Sequence, residues 1–354
     1  MSVLCLPGLI DPHVHVRDLG QAHKEDWDSA TAAALAGGIT TVLAMPNTQP
    51  PIVDAAALTA YEQAAQARAR CDYGLYLGAG PGNVGGLAAL APRAAGLKLY
   101  LDATFGDLKM DTLDLLAAHC AAWPADAPLL AHAEGNNLAA AILAAHLAGR
   151  AIHIVHVSRR DEIELIRAAK ARGFAVTCEV CPHHLFLTLA GSGLPAGYVE
   201  VRPRLAAAAD AAALWANLDV IDCFATDHAP HTRAEKEGPN PPPGYPGLET
   251  ALALWLTAVH QGRLTLEDII ARMHTGPRRL FNLPEQPDTW IEVDPEQEWT
   301  PRGAGLFSRA GWTPFEGWPL RGRVTGVTLR GQRVYDGQAV LAPPGAGRNV
   351  RSRP

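Results

Sequence analysis

"LPGLIDPHVHVRD", residues 6–18, ends an apolar run with two histidines one residue apart. Side chains alternate along a β-strand, so His13 and His15 would project from the same face where that strand ends. Two neutral imidazoles on one face can hold a divalent metal such as zinc. The alternative is that one histidine is a hydrogen-bonded core residue and the other is exposed, and the H-x-H pair alone leaves both interpretations open.

Short apolar, β-rich runs alternate with Ala/Leu-rich segments of helical period along most of the chain, which is typical of a parallel sheet built from βαβ units. The predicted strands are Leu6–Val14, Ile39–Met45, Tyr73–Gly78, Gly96–Leu101, Pro128–Ala133, Ile152–Val157, Ala175–Val180 and Asp222–Ala225. Helices are predicted at about Lys24–Ala36, Ala55–Ala69, Leu113–Ala122, Asn136–Ala148, Arg160–Arg172, Asp210–Asn217 and Leu248–Val259. This alternation predicts an α/β fold of the (β/α)8 TIM-barrel type.

A small β-subdomain is predicted to follow the barrel. The alternating stretch "GRVTGVTLRGQRVYDGQAV", residues 322–340, indicates antiparallel strands. We therefore expect a barrel over residues 4–285, a β-subdomain over 286–345 formed mostly by the C-terminal segment, and a tail over 346–354. The Gly/Pro-rich stretch at 237–247 is predicted to be an ordered loop over the barrel mouth.

Composition narrows the function classes. The chain has 354 residues, 48% of them hydrophobic, and a net charge of −6, which argues against a nucleic-acid surface. No apolar run reaches the roughly 20 residues of a membrane span, and the first residues do not resemble a secretory signal. The six scattered cysteines, including the "CEVC" of residues 178–181, suit a reducing compartment. We expect a cytoplasmic enzyme that binds neither nucleic acid nor membrane.

Potential metal ligands recur where the predicted strands end, and catalytic groups of TIM barrels lie at that end of the strands. They are His13, His15, Lys98, His132, His156 and Asp227. Lys98, between leucines in an interior strand, would be a neutral amine able to take up carbon dioxide as a carbamate and bridge two metals. The alternative is that Lys98 reaches solvent. Asp227 would bind a metal and also accept the proton of the attacking water, so the set predicts a binuclear metal-dependent hydrolase.

The order of these residues resembles that of the amidohydrolase superfamily. "GLIDPHVHVRD", "GGITTVLAMPNTQPP" and "ATDHAPHT" resemble cyclic amidases, and dihydroorotases in particular. "CEVCPHHLFL", "HKEDWDSATAAALAGGITTV" and "PPPGYPGLET" are similar to the dihydroorotase domain of the animal multifunctional pyrimidine-synthesis protein, which joins it to carbamoyl phosphate synthetase and aspartate transcarbamoylase. The resemblance runs from about residue 4 to residue 351.

The resemblance implies interconversion of N-carbamoyl-L-aspartate and L-dihydroorotate by a hydroxide that bridges two zinc ions. It implies His13, His15, carbamylated Lys98 and Asp227 as ligands of one zinc, and Lys98, His132 and His156 as ligands of the other. The residues implied to bind substrate are Arg17, Asn47, Arg202 and His231. Thr104 and Phe105 match a mobile loop that closes over the substrate, and a homodimer, or a domain of a larger polypeptide, is implied.

The sequence departs from these relatives at a possible third zinc site. Val155 replaces a cysteine that would be its ligand, so a third zinc is doubtful even though Glu179 could contribute. The other cyclic amidases considered are dihydropyrimidinase, hydantoinase and allantoinase. Arg17 argues against the first two, whose substrates lack a carboxylate. A third possibility, a non-catalytic scaffold relative, conflicts with the complete ligand set.

Overall fold

The computed structural model describes residues 3–104, 106 and 108–351, and its strands form two separate sheets. The strands of this part are β1 (Leu4–Pro7), β2 (Leu9–Val14), β3 (Ile39–Ala44), β4 (Asp72–Gly78), β5 (Gly96–Tyr100), β6 (Leu129–His132), β7 (Ile152–Ile154), β8 (Val176–Val180), β9 (Cys223–Phe224), β10 (Trp290–Trp299), β11 (Leu320–Leu329) and β12 (Gln332–Tyr335). No helix among these residues is long and apolar enough to cross a membrane.

The first sheet contains β2 to β9 in sequence order, and every neighbouring pair is parallel. The sheet closes into a barrel just beyond the ends of β2 and β9, where the backbone N–H of His15 donates to the carbonyl of His228 at 2.7 Å. Parallel strands need long crossovers, and helices on the outside supply them. The (β/α)8 barrel predicted from the sequence is thus confirmed.

The helices surround this barrel and extend beyond it. They are α1 (Trp27–Ala36), α2 (Ala55–Arg68), α3 (Leu113–Ala122), α4 (Asn136–Leu147), α5 (Arg160–Ala171), α6 (Pro182–Phe186), α7 (Ala208–Ala216), α8 (Arg233–Lys236), α9 (Ala251–His260), α10 (Leu266–Ile270) and α11 (Gly276–Leu280). Side-chain oxygens cap the N-termini of several of these helices. At the start of α2, for example, the Asp54 carboxylate accepts a hydrogen bond from the backbone N–H of Ala57 at 2.8 Å. Their apolar faces are buried against the strands; Trp255 of α9, for example, stacks on Phe224 of β9 at 4.1 Å.

The second sheet is antiparallel, in the order β1-β10-β11-β12, so three of its four strands come from the C-terminal segment. The predicted strand Leu6–Val14 is in fact two strands, because the chain changes sheets at Gly8. A side chain at Gly8 would overlap Thr40 and Thr289, so only glycine fits this crossing. The exact domain boundaries remain a prediction.

Candidate metal centre

The six predicted metal ligands lie around one cavity at the C-terminal end of the barrel strands. All six side chains are buried, and Lys98 is fully inaccessible. The cavity is lined by His13, His15, Arg17, Asn47, Lys98, Tyr100, Thr104, His132, His156, Arg202, Asp227, Ala229, Pro243 and Gly244. The loop predicted to cover the mouth therefore does contribute a wall, through Pro243 and Gly244. Phe105 lies outside the described residues.

The imidazoles converge in two groups. Nε2 of His13 and Nε2 of His15 lie 3.2 and 3.1 Å from the same oxygen, Oδ1 of Asp227. On the other side, Nδ1 of His132 lies 2.7 Å from Nε2 of His156. The potential ligand atoms of His13, His156 and Asp227 also lie within 4.8 Å of one another, which is close enough for one metal ion to draw them together.

Lys98 lies on the interior strand β5 and lines the same cavity. Within the described part of the chain its Nζ has no hydrogen-bond partner and lies 5.3 Å from the ring centroid of Tyr100. Burial lowers the pKa of Lys98 to about 8, while the carboxylates Glu179 and Asp227 partly oppose that shift. A buried amine with a lowered pKa and no partner is chemically suited to react with carbon dioxide.

The four histidines are neutral in this environment. Burial is the largest cause that lowers the pKa of each one, and the positive charge of Lys98 adds to it. Neutral imidazole is the form that donates a lone pair to a metal. Burial also raises the pKa of Asp227, although His13 and Lys98 act in the opposite direction.

Asp11, which the sequence analysis missed, holds the ends of β2 and β9 together. Its Oδ1 accepts hydrogen bonds from the backbone of His13 at 3.1 Å and of Thr226 at 3.2 Å, and its Oδ2 binds the Thr226 hydroxyl at 2.5 Å. Thr226 Oγ1 in turn accepts from the backbone of His228 at 3.0 Å. These bonds fix the residues on both sides of Asp227. Asp11 lies two residues before His13 on β2, so strand alternation places both side chains on the same face. This spacing is the feature of the sequence that could have identified Asp11.

Glu179, the predicted extra metal ligand, contacts two imidazoles. Its Oε1 lies 2.5 Å from Nδ1 of His13 and its Oε2 lies 3.1 Å from Nε2 of His153. A carboxylate on Nδ1 fixes the ring of His13 and leaves Nε2 directed at Asp227. Burial opposes ionisation of Glu179, but the two histidines hold its pKa below the usual range. His153, on β7, was not singled out in the sequence, although it lies three residues before His156. A third metal here stays a prediction.

Three cavity residues have backbone conformations that side chains rarely adopt. Arg17, His156 and Asp227 have φ values of 67°, 39° and 46°, in the left-handed region. Such residues cost about 1–3 kcal/mol each and persist where the surrounding structure holds them. All three follow barrel strands, so the strain coincides with the turns that direct side chains into the cavity.

Arg17 lies next to His231, and both are buried. Nζ of Lys24 lies 3.2 Å from Nδ1 of His231, and Nε2 of His231 lies 3.2 Å from Nη2 of Arg17 and 3.0 Å from the carbonyl of Pro243. Burial and the charges of Arg17 and Lys24 lower the pKa of His231, which is therefore neutral. Burial lowers the pKa of Arg17 to about 10, so its guanidinium stays charged at neutral pH and can attract an anion.

The remaining predicted substrate residues lie on other walls. Arg202 pairs with Glu200 at 3.0 Å, and Asn47 hydrogen-bonds to His15. Thr104 also lines the cavity. Tyr100, which the sequence analysis did not select, lines it with a buried hydroxyl that lacks a hydrogen-bond partner among the described residues. Its position two residues after Lys98 on β5 places both side chains on the same face.

Comparison of the sequence with known proteins identifies the family to which the chain belongs. Residues 4–286 match the model of the amidohydrolase family. The chain is 53% identical over its full length to the multifunctional protein CAD of Squalus acanthias, but it spans only 16% of that protein. It is 36% identical to the dihydroorotase of Pyrococcus abyssi, with 98% of this chain and 87% of that protein covered.

A solved structure with the same overall fold is the L-hydantoinase (dihydropyrimidinase) from Arthrobacter aurescens. Its TM-score is 0.93 at 26% identity, with 98% of this chain and 88% of that chain covered. The relatives found by sequence and by structure thus carry different names, although the solved structure shares the fold of this chain.

Proposed function

The chain belongs to the amidohydrolase family, and on that premise we propose that it is a dihydroorotase that interconverts N-carbamoyl-L-aspartate and L-dihydroorotate. The observation that carries the proposal is buried Lys98, whose Nζ has no hydrogen-bond partner among the described residues, in one cavity with two groups of metal-ligand side chains and a charged guanidinium. The 36% identity to an archaeal dihydroorotase over most of both chains supports the same assignment.

The donor set fits two divalent ions of the zinc type. His13, His15 and Asp227 would hold one ion, His132 and His156 the other, and carbamylated Lys98 would join them. Carbamylation adds carbon dioxide to the neutral Nζ with loss of one proton, which gives an anion with two oxygens. When bound, two such ions activate water and polarise the amide carbonyl of the substrate. Nε2 of His132 and Nδ1 of His156 have no hydrogen-bond partner among the described residues and are the nitrogens left for other contacts, such as that of His132 with Glu134 at 3.7 Å.

The protein itself supplies orientation, charge and proton transfer. Arg17 would pair with the substrate carboxylate, and Asn47, Arg202 and neutral His231 would hold the rest of the ring. In the hydrolytic direction water adds to the ring carbonyl and the C–N bond breaks. Asp227 would accept the proton of the water and pass it to the leaving nitrogen. The loop with Thr104 and Phe105 would exclude solvent.

A second candidate is a cyclic amidase for neutral rings, as in hydantoinases. The TM-score of 0.93 to an L-hydantoinase favours it. Arg17 disfavours it, because a guanidinium suits bidentate binding of a carboxylate, which a neutral ring does not offer. We also propose a cytoplasmic location, a homodimer, and a role as one domain of a longer pyrimidine-synthesis polypeptide.

The test is dihydroorotate turnover with and without bound metal. Removal of metal by a chelator should abolish turnover, and zinc should restore it. Lys98→Ala should lose bound metal and activity together, while the exposed lysine variant Lys109→Ala keeps both. A short carboxylic acid in the buffer should partly rescue Lys98→Ala by standing in for the carbamate. Normal metal content and turnover in Lys98→Ala would contradict the proposal.

A further inference from the structure

Cys181, His183 and His184 form a second cluster of potential metal ligands, separate from the six residues described above. They lie between the end of β8 and the first turn of α6, and all three are buried. One ligand atom from each of them lies within 4.8 Å of the others. We propose that these three residues bind a further zinc ion, with water as the fourth ligand.

The two histidines present nitrogens that have no hydrogen-bond partner among the described residues. These are Nε2 of His183 and Nδ1 of His184, each on a side chain that is only 3% exposed. Buried polar atoms are nearly always hydrogen-bonded, so two orphan nitrogens in one cluster need an explanation. A metal ion would satisfy both together with the sulfur of Cys181.

The hydrogen bond of His184 also fixes which of its nitrogens is free. Nε2 of His184 lies 3.1 Å from the carbonyl of Pro203, which can only accept a hydrogen bond. The ring proton is therefore on Nε2, and Nδ1 carries a bare lone pair. A ligating histidine that donates its other N–H to a carbonyl is the usual arrangement around zinc.

The ligand chemistry and the spacing fit zinc. One thiolate and two imidazoles with an open position suit tetrahedral Zn²⁺. Zinc bond lengths of about 2.0–2.3 Å place neighbouring ligand atoms roughly 3.3–3.6 Å apart. Separations of up to 4.8 Å would therefore have to shorten by at most about 1.5 Å between any two ligand atoms, which side-chain rotation can supply.

The charges near the cluster favour a cation. Burial raises the pKa of the Cys181 thiol, and the carboxylates of Asp227 and Glu179 raise it further. A bound divalent ion would interact favourably with the same carboxylates and displace the thiol proton to solvent. The neutral histidines add no opposing charge, because burial lowers the pKa of His184 to about 4 and holds that of His183 well below its usual value.

This site has a structural consequence for the neighbouring cavity. Pro203 follows Arg202, so the bond from His184 connects the cluster to a predicted substrate residue. An ion at Cys181 would hold α6 and the segment around Arg202 in fixed positions. The site differs from the position predicted for a third zinc, which involves Glu179 and Val155, and it does not depend on the proposed reaction.

Cobalt substitution tests the proposal directly. Thiolate ligation of Co²⁺ produces an intense near-ultraviolet charge-transfer absorption, which imidazole, carboxylate and carbamate ligands do not give. The full chain, stripped of metal and titrated with Co²⁺, should develop this absorption. Cys181→Ala should lack it and contain about one metal equivalent less per chain, and His183→Ala should bind that ion at least about tenfold more weakly.

Cys178→Ala is the matched control, because Cys178 is also buried on β8 but lies outside the cluster and contacts the carbonyl of Val220. It should keep the absorption. Cys181→Ser replaces Cys181→Ala if the alanine variant does not fold. Absence of the absorption in folded wild-type protein, its persistence in a Cys181 variant, or its loss in Cys178→Ala would overturn the site. Dihydroorotate turnover is measured separately, so failure of the proposed function leaves this result unaffected.

Discussion

Replacement of Arg17 by methionine decides between dihydroorotate and neutral cyclic amides as substrates. Methionine keeps an apolar stem of similar length and removes only the guanidinium. Arg17 is 3% exposed and has a φ of 67°. The new residue therefore meets the same space and the same backbone strain. The variant removes the cation that would face the substrate carboxylate, and it leaves the predicted metal ligands unchanged.

The expected size of the effect follows from the burial of Arg17. Removal of one partner from a buried ion pair costs about 3–5 kcal/mol, and each 1.36 kcal/mol corresponds to a tenfold change in rate. We expect kcat/KM for dihydroorotate to fall by about 10²–10⁴-fold in Arg17→Met. For dihydrouracil and hydantoin, which lack the carboxylate, the wild-type rate should already be at least about a hundredfold lower.

The assay measures kcat/KM for ring opening of dihydroorotate and of dihydrouracil with both proteins. The loss of kcat/KM that Arg17→Met causes for dihydroorotate is divided by the loss that it causes for dihydrouracil. This quotient isolates the interaction between Arg17 and the substrate carboxylate. Arg204→Met is the control, since the Arg204 side chain is 69% exposed and pairs with Glu200 at 3.8 Å. Equal losses on both substrates would refute the carboxylate role of Arg17, and a wild-type preference for dihydrouracil or hydantoin would refute the dihydroorotase proposal.

Three further predictions concern proton transfer, positioning and pH. Asp227→Asn should reduce turnover by about 10²–10⁴-fold while substrate binding largely survives, because an amide cannot accept the proton; a loss below tenfold in steady-state kinetics would contradict this role. Thr226→Val removes the hydroxyl bonded to Asp11 and should lower the free energy of unfolding by about 1–3 kcal/mol, as measured in urea; an unchanged value would mean that this bond contributes nothing. Burial raises the pKa of Glu249 from 4.5 to about 7, so the folded state retains a proton that the unfolded state loses, and stability should fall as pH rises from 4.5 to 7. The free energy of unfolding of the wild type and of Glu249→Gln is measured by denaturation across that pH range. The wild type should lose at most about 3 kcal/mol, and the variant should lose less. The same dependence on pH in both proteins would contradict the raised pKa of Glu249.

The barrel was predictable from the sequence because its signals are local. Alternating apolar runs and helical segments predicted each of the eight barrel strands, and α3 begins and ends at its predicted residues. The strand-end positions of His13, His132 and His156 followed from the same periodicity. The single strand predicted over residues 6–14 was wrong at its start, because the change of sheet at Gly8 depends on β10, nearly 300 residues later.

Residue types alone therefore determined the fold class and the donor set, since hydrophobic period and ligand chemistry are properties of short segments. The tertiary structure decided how those donors face one another. Glu179 orients His13 across 166 residues of sequence, and Asp11 joins Thr226 across 215. It also grouped Cys181 with His183 and His184, each of which has one ring nitrogen without a hydrogen-bond partner among the described residues. Long-range packing sets these contacts, because only closure of the barrel brings distant strand ends to one point. Hydrogen bonds formed there, such as Glu179 to His13, determine which ring nitrogen is left free.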